Sequence, residues 1–416
     1  MNGHIRSIRT RGIIALISCA VAIFWPGALI FGYSGVMAPY WQEMFSVGRG
    51  AVGNNLFFLL ASLGIFMFFV GRWQEKVGTR IMISIGALLC GLNVFIVTYA
   101  SHLYMLYLWA FLNGTASCFI YIPALTSVQR WFPGKRGLVS GVVNLVFGIS
   151  AAIMSPIFSG MLKSKGYVPM NVMIAVMALL VGLTAAQFTE TPERVKLAQG
   201  GKKDEKLKPE SSLGESFTVK ESLKTKAFWF LWLTWALQGA AGIAMVSLAV
   251  LFGLARGFSL ESSVMILTAF NLASGLSRIL TGYISDLVGR NLTMSITFFV
   301  AGAAYFLMPY FVSLPLLAFF AALVGFAFGT LFAVSAPLVS DCFGLKHFGA
   351  IFGLVFTAYG FVSGALGPSL SGYLLDITDS NFLIVFTYLG IFCLLSGFLI
   401  RGVTPPLKIG GNSKAA

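Results

Sequence analysis

Among the 28 lysines and arginines of this 416-residue chain, Arg278 stands apart because it falls inside a long apolar run and not at its edge. It precedes Asp286, which marks the end of that run, by eight residues. At helical rise this places it roughly 12 Å within a hydrocarbon layer about 30 Å thick. A guanidinium at that depth costs at least about 2.5 to 3.5 kcal/mol, so something must offset it. None of the fourteen acidic residues is placed to do so: Glu43, Glu75, Asp286, Asp341 and Asp376 lie at the ends of runs and the others in polar segments. An arginine with no internal counter-ion is a site for an anion, since its planar fork holds a carboxylate through two parallel hydrogen bonds. Donation to backbone carbonyls for purely structural reasons is the other reading of this residue, and the sequence leaves both open. Asn271 and Ser274 precede Arg278 by seven and four residues and share its helix face, offering neutral partners for a hydroxyl or keto oxygen.

Nothing comparable points to bond-making chemistry. There is no nucleotide-binding loop and no catalytic triad, and His4, His102 and His347 sit in loops or near a terminus without metal-ligand spacing. Cys19, Cys90, Cys118, Cys342 and Cys393 are odd in number and scattered, so neither a disulfide framework nor a metal cluster is expected. We therefore expect a protein that is not an enzyme and that takes no cofactor.

The elements that must hold Arg278 follow from composition. With 57% hydrophobic and 10% charged residues and a mean hydropathy of +0.87, the chain has too little polar surface to wrap a water-soluble core. Apolar runs long enough to cross a bilayer occur near 12–40, 51–71, 78–99, 103–127, 137–161, 168–189, 226–254, 262–284, 292–312, 314–340, 346–375 and 379–402. Hydrocarbon leaves backbone groups without water, so runs of this length must be helices. The expected fold class is an all-α integral membrane protein with the lipid bilayer as its partner. About 23 of the basic residues fall on the side that carries both ends and about four (Arg49, Lys163, Lys165, Arg256) on the other, which places both termini in the cytoplasm. That clustering also accounts for the net charge of +14 without a nucleic-acid partner, and no obligate protein partner is indicated. The basic N-terminal residues precede a run too long for a signal peptide, so the first run is expected to be retained as a helix.

The chain also repeats itself. Gly71, Glu75 and Gly78 recur as Gly282, Asp286 and Gly289 at an offset of 211, and Gly137, Gly141, Gly148, Pro156 and Gly160 recur as Gly349, Gly353, Gly360, Pro368 and Gly372 at 212. Glycine and proline are the residues least exchangeable for backbone geometry, so the match indicates two similar six-helix units. We expect an N-terminal bundle over 1–190, a polar cytoplasmic linker over 191–226, and a C-terminal bundle over 227–416. A short amphipathic helix is expected near 213–223 within the linker. The Gly137/Gly141 and Gly349/Gly353/Gly360/Gly364 stripes should let neighbouring helices approach closely and slide.

Gly282-Tyr-Ile-Ser-Asp286-Leu-Val-Gly289-Arg290 resembles the loop signature of the major facilitator superfamily, and Gly71-Arg-Trp-Gln-Glu75-Lys-Val-Gly78 is its degenerate copy. The segment Arg130-Trp-Phe-Pro-Gly-Lys-Arg-Gly137-Leu-Val-Ser-Gly141 is similar to that of bacterial oxalate/formate antiporters and monocarboxylate transporters. The resemblance implies twelve transmembrane helices in two pseudo-symmetric halves, an inner-membrane location, and alternating-access transport of a small monocarboxylate such as lactate or pyruvate. A proton is the candidate co-substrate, and the runner-up is an oxalate/formate-type anion antiporter. It implies that Tyr121 and Tyr359 face the substrate beside Arg278, Asn271 and Ser274, that Asn144 and Leu145 line the opposite wall, and that Glu75, Asp286 and Arg290 form a conformational latch. Tyr359 stands where the antiporters carry a lysine, which favours one carboxylate over two. Ser274 stands where monocarboxylate transporters carry an aspartate four residues before the arginine, which puts that family's proton relay in doubt.

Overall fold

A computed structural model of the chain describes residues 2–132, 136–192, 216–344 and 347–406. Its apolar runs form twelve helices long enough to cross a membrane: α1 (Thr10–Phe45), α2 (Arg49–Gly71, helical on through Val77), α3 (Thr79–Thr98), α4 (Leu103–Trp131), α5 (Val139–Lys165), α6 (Tyr167–Ala186), α7 (Lys226–Ala255), α8 (Leu260–Val288), α9 (Arg290–Tyr310), α10 (Leu314–Phe343), α11 (Ala350–Ile377) and α12 (Phe382–Arg401). Each corresponds to one run read from hydropathy. Large apolar side chains such as Ile17, Leu180, Phe319 and Phe398 point outward, as lipid requires, while Tyr104, Tyr283 and Tyr310 are exposed near helix ends.

Among the described residues two helices widen into π-geometry, which hydropathy does not reveal. α1 widens into a π-helix over Ala28–Tyr33, and α11 does so over Ala358–Ser363 and again over Ala365–Ser369. Pro26 precedes the first segment and Pro368 lies inside the last. A proline's missing N–H loosens the regular hydrogen-bond ladder, which allows one extra residue into a turn.

The first six helices and the last six pack by the same scheme. α2 lies on α4, α3 on α4 and α6, and α1 on α6; α8 lies on α10, α9 on α10 and α12, and α7 on α12. Equivalent glycines make equivalent contacts. A Cβ on Gly114 would stand 2.3 Å from the carbonyl oxygen of Leu59, and one on Gly325 2.1 Å from that of Phe270, positions related by the same offset of 211. Gly78 and Gly289, the repeat's matched glycines, both adopt a left-handed φ, 96° and 97°, a conformation that a side chain disfavours.

Between the two sets, α5 packs on α8, α2 on α11 and α1 on α7. The ties differ between the two ends of the molecule. At the end away from the linker, Arg49 and Gly50 bind Asp376, Asn54 bonds to Tyr373 (3.0 Å), and Lys163 pairs with Glu261 (2.7 Å), all across the two sets. At the linker end Arg80, Trp131, Arg290 and Asn291 find their partners within their own set. The glycine stripes divide the same way: Gly360 and Gly364 press on Gly64 and Phe57, whereas a Cβ on Gly353 would meet nothing within 4 Å and one on Gly141 only Ile279, at 3.9 Å. The expected close approach therefore holds at Gly360 and Gly364, at the distal end of the second stripe, and fails at Gly353 and at Gly141 of the first.

Of the amphipathic linker helix expected near 213–223, residues 213–215 lie outside the described ones, and among the rest one helical turn, Val219–Ser222, opens with a reciprocal Thr218/Glu221 capping box. Residues 193–215, most of the linker, lie outside the described ones.

Candidate functional site

Arg278 occupies the seam where α8 meets α5. The two helices touch backbone to backbone because each is a glycine at the crossing: a Cβ on Gly148 would sit 2.8 Å from Gly275 Cα, and one on Gly275 3.0 Å from Ile149 N. That approach carries the Arg278 side chain from the last six helices across to the first six, and only 4% of the residue remains exposed. Its Nη1 donates to the backbone carbonyl of Asn144 on α5 at 3.3 Å. Two rings lie against the cation, with the Phe332 centroid 4.8 Å and the Phe147 centroid 5.5 Å from the guanidinium carbon, one from α10 and one from α5. These cation–π contacts compensate part of the lost hydration. Among the described residues Nε and Nη2 find no acceptor. Of the two readings the sequence left open, the geometry therefore keeps both in part: one terminal nitrogen is engaged by a peptide oxygen, and the in-plane Nε/Nη2 edge is not.

The other expected residues are distributed around this group. Tyr121 on α4 donates to Asn144 Oδ1 at 2.6 Å, and its ring lies tilted against Phe147 with centroids 5.4 Å apart. Asn144 is thus a hub whose side chain fixes Tyr121 while its carbonyl holds Arg278. Tyr359 on α11 lies in an aromatic cluster with Trp235, Phe328, Phe332 and Phe356 at centroid distances of 5.3 to 6.2 Å. Its hydroxyl, like Nδ2 of Asn271, is buried without a partner among the described residues. Tyr359 shares the Phe332 ring with Arg278, and Tyr121 shares Phe147 with it. Ser274 is buried with its backbone pressed against Gly329, and Leu145 is half-buried on α5 beside Asn144. The structure thus groups Arg278, Tyr121, Asn144 and Tyr359 most closely.

Sequence reasoning missed Phe147 and Phe332, although the repeat carried a signal for both. The offset of 211 that relates α4 to α10 takes Tyr121 to Phe332, and the offset of 212 that relates α5 to α11 takes Phe147 to Tyr359. Each set of six supplies one tyrosine and one phenylalanine at exchanged positions, so a pseudo-symmetric aromatic quartet surrounds an asymmetric charge.

The expected latch is placed in part. Asp286 pairs with Arg290 one turn on at 3.4 Å, and Arg290 Nε also bonds Asp341, so these three stay within the last six helices. The side chain of Glu75 lies outside the described ones.

A family model, the Major Facilitator Superfamily, matches residues 16–268 and 257–416. The chain belongs to the major facilitator superfamily. It is a transporter and not an enzyme, and its twelve-helix fold is that of the superfamily. Among curated superfamily relatives, the oxalate:formate antiporter of Oxalobacter formigenes is 27% identical over 313 residues, 72% of this chain and 71% of that one. Monocarboxylate transporter 13 of Rattus norvegicus is 25% identical over 393 residues, 91% and 87% of the two chains. The fold matches the crystal structure of a bacterial homologue of the human lysosomal transporter Spinster, with a TM-score of 0.70 at 13% identity and coverage of 94% and 95%.

Proposed function

We propose that this superfamily member carries small organic monocarboxylates, lactate, pyruvate or similar, together with a proton, by alternating access between residues 1–190 and 227–416 joined by the 191–226 linker. The observation that carries the reading is the Nε/Nη2 edge of Arg278, two parallel donors in one plane without an acceptor among the described residues, with the Phe147 and Phe332 rings close by. A carboxylate meets that edge side-on through two charge-assisted hydrogen bonds. An unpaired buried cation strongly favours such a partner, since the complex is close to neutral where the cation alone is not. The Tyr359 hydroxyl and Asn271 Nδ2, both without a partner among the described residues, suit a hydroxyl or keto group next to the carboxylate.

A substrate held as the carboxylate anion carries no proton of its own, so a co-transported proton must be held by another group, and Ser274, which stands in place of the relay aspartate, is not that group. The basic linker end is taken as cytoplasmic, in a bacterial inner membrane. On that assignment the outer end is the tied one, and the Asp286, Arg290 and Glu75 latch would bridge the halves only after the linker end closes.

Oxalate/formate-type exchange is the second reading, favoured by the antiporter relative. Proteoliposome uptake separates the two. Symport requires uptake that rises with an inward proton gradient and falls at least tenfold in Arg278→Ala. Uptake indifferent to the gradient but stimulated by internal oxalate or formate would replace it with exchange.

A further inference from the structure

The N-terminus of α2 is capped from the other half of the molecule. The residue preceding α2 is Gly48, whose backbone is extended (φ −69°, ψ 169°) and which has no side chain to accept from the first turn. Its place is taken by Asp376 at the end of α11: Oδ1 accepts from the backbone N–H of Arg49 at 2.8 Å, and Oδ2 from that of Gly50 at 2.9 Å. The Arg49 guanidinium donates to Ser380 Oγ at 2.6 Å, just beyond α11. Contact this tight depends on bare backbone on both sides, since a Cβ on Gly372 would stand 2.6 Å from Arg49 C and one on Gly53 2.5 Å from the Pro368 carbonyl oxygen. A helix N-terminus carries orphan N–H groups and the positive end of the macrodipole, so a carboxylate there satisfies both at once.

We propose that Asp376 is the outer gate's bolt: a helix cap lent by the C-terminal half to the N-terminal half, present only while the distal face is closed. Opening that face strips α2 of its cap, and α2 has no local substitute. The cap therefore sets the resting bias toward the state closed at the distal end. This rests on the alternating-access reading but not on the identity of the substrate, and its test needs no substrate.

Spin labels at Tyr104→Cys and Tyr310→Cys report the distal separation of the halves, because these positions are 65% and 71% exposed on opposite halves while the five native cysteines are buried. Pulsed electron–electron distances in proteoliposomes should show a longer population in Asp376→Ala, raising the open-to-closed ratio by roughly fivefold, the factor a single N-cap contributes. Asp376→Asn keeps one acceptor and loses the charge, so it should shift less and it covers the case in which the alanine variant does not fold. Gly48→Ser added to Asp376→Ala supplies a cap within the same half, in the space that Asp376 Oδ2 occupies 2.4 Å from a Gly48 Cβ. That double variant should recover thermal stability and keep the long distance. Distances unchanged in both Asp376→Ala and Asp376→Asn would overturn the proposal. So would a return to the short distance with Gly48→Ser, which would reduce Asp376 to a local helix stabiliser. Absence of lactate binding to the parent protein, with the Asp376→Ala distance shift present, would count against the proposed function alone.

Discussion

Gly148→Ala tests how Arg278 is presented. The new methyl group would lie 2.8 Å from Gly275 Cα and 3.4 Å from Arg278 Nε. Ordinary carbon contacts begin near 3.5 Å, so α5 and α8 must part by roughly 0.7 Å at the crossing. Parting on that scale lengthens the 3.3 Å bond from Arg278 Nη1 to the Asn144 carbonyl beyond hydrogen-bonding range. Overpacking costs about 1 to 3 kcal/mol and a lost hydrogen bond to a charged group about 1.5 to 3. Part of this is recovered because alanine is a better helix former than glycine by about 1 kcal/mol. Net destabilisation of about 3 kcal/mol is expected, with carboxylate affinity lowered about tenfold to thirtyfold as the guanidinium loses its fixed orientation. Gly141→Ala is the internal control, two turns nearer the linker on the same helix, where the methyl group meets only Ile279 at 3.9 Å. It should be neutral or mildly stabilising. Thermal unfolding in detergent and tryptophan-fluorescence titration with lactate would read both variants. Equal behaviour of Gly148→Ala and Gly141→Ala would refute the claim that this glycine crossing positions the arginine.

Two further outcomes follow from the same geometry. Tyr121→Phe removes the 2.6 Å bond to Asn144 Oδ1 and leaves a buried amide oxygen short of a donor, so lactate affinity should fall about fivefold, corresponding to about 1 kcal/mol, as measured by the same titration. Tyr359→Lys places a second cation near Arg278 and should turn the preference from mono- toward dicarboxylate, read as oxalate displacing bound lactate in competition binding; unaltered competition would place Tyr359 away from the ligand.

Much of the fold was legible in the sequence because a bilayer imposes simple rules. Twelve runs of sufficient length became α1 to α12, and the 211-residue offset returns as matched φ angles at Gly78 and Gly289. The burial of Arg278 was likewise legible from its distance to Asp286, since helical rise converts spacing into depth. What could not be read is what depends on how the two sets of helices dock. The Asn144 carbonyl is an acceptor like every other backbone oxygen until the Gly148/Gly275 crossing brings it to the guanidinium. Asp376 looks like an ordinary helix-end carboxylate, and only the approach of Gly372 to Arg49 makes it a cap. The π-helical turns of α1 and α11 were invisible for another reason: they change hydrogen-bond register without changing hydropathy, and they shift the direction in which Tyr33 and Tyr359 project.

The central claim is that one guanidinium edge holds one carboxylate, and equilibrium binding of lactate to the purified transporter and its Arg278→Ala and Arg278→Lys variants tests it most directly. Loss of two charge-assisted bonds, about 3 kcal/mol or more, corresponds to at least a hundredfold weaker binding in Arg278→Ala. Arg278→Lys, which restores the charge without the planar fork, should recover only a part. Affinity within a few fold of the parent in Arg278→Ala would contradict the account.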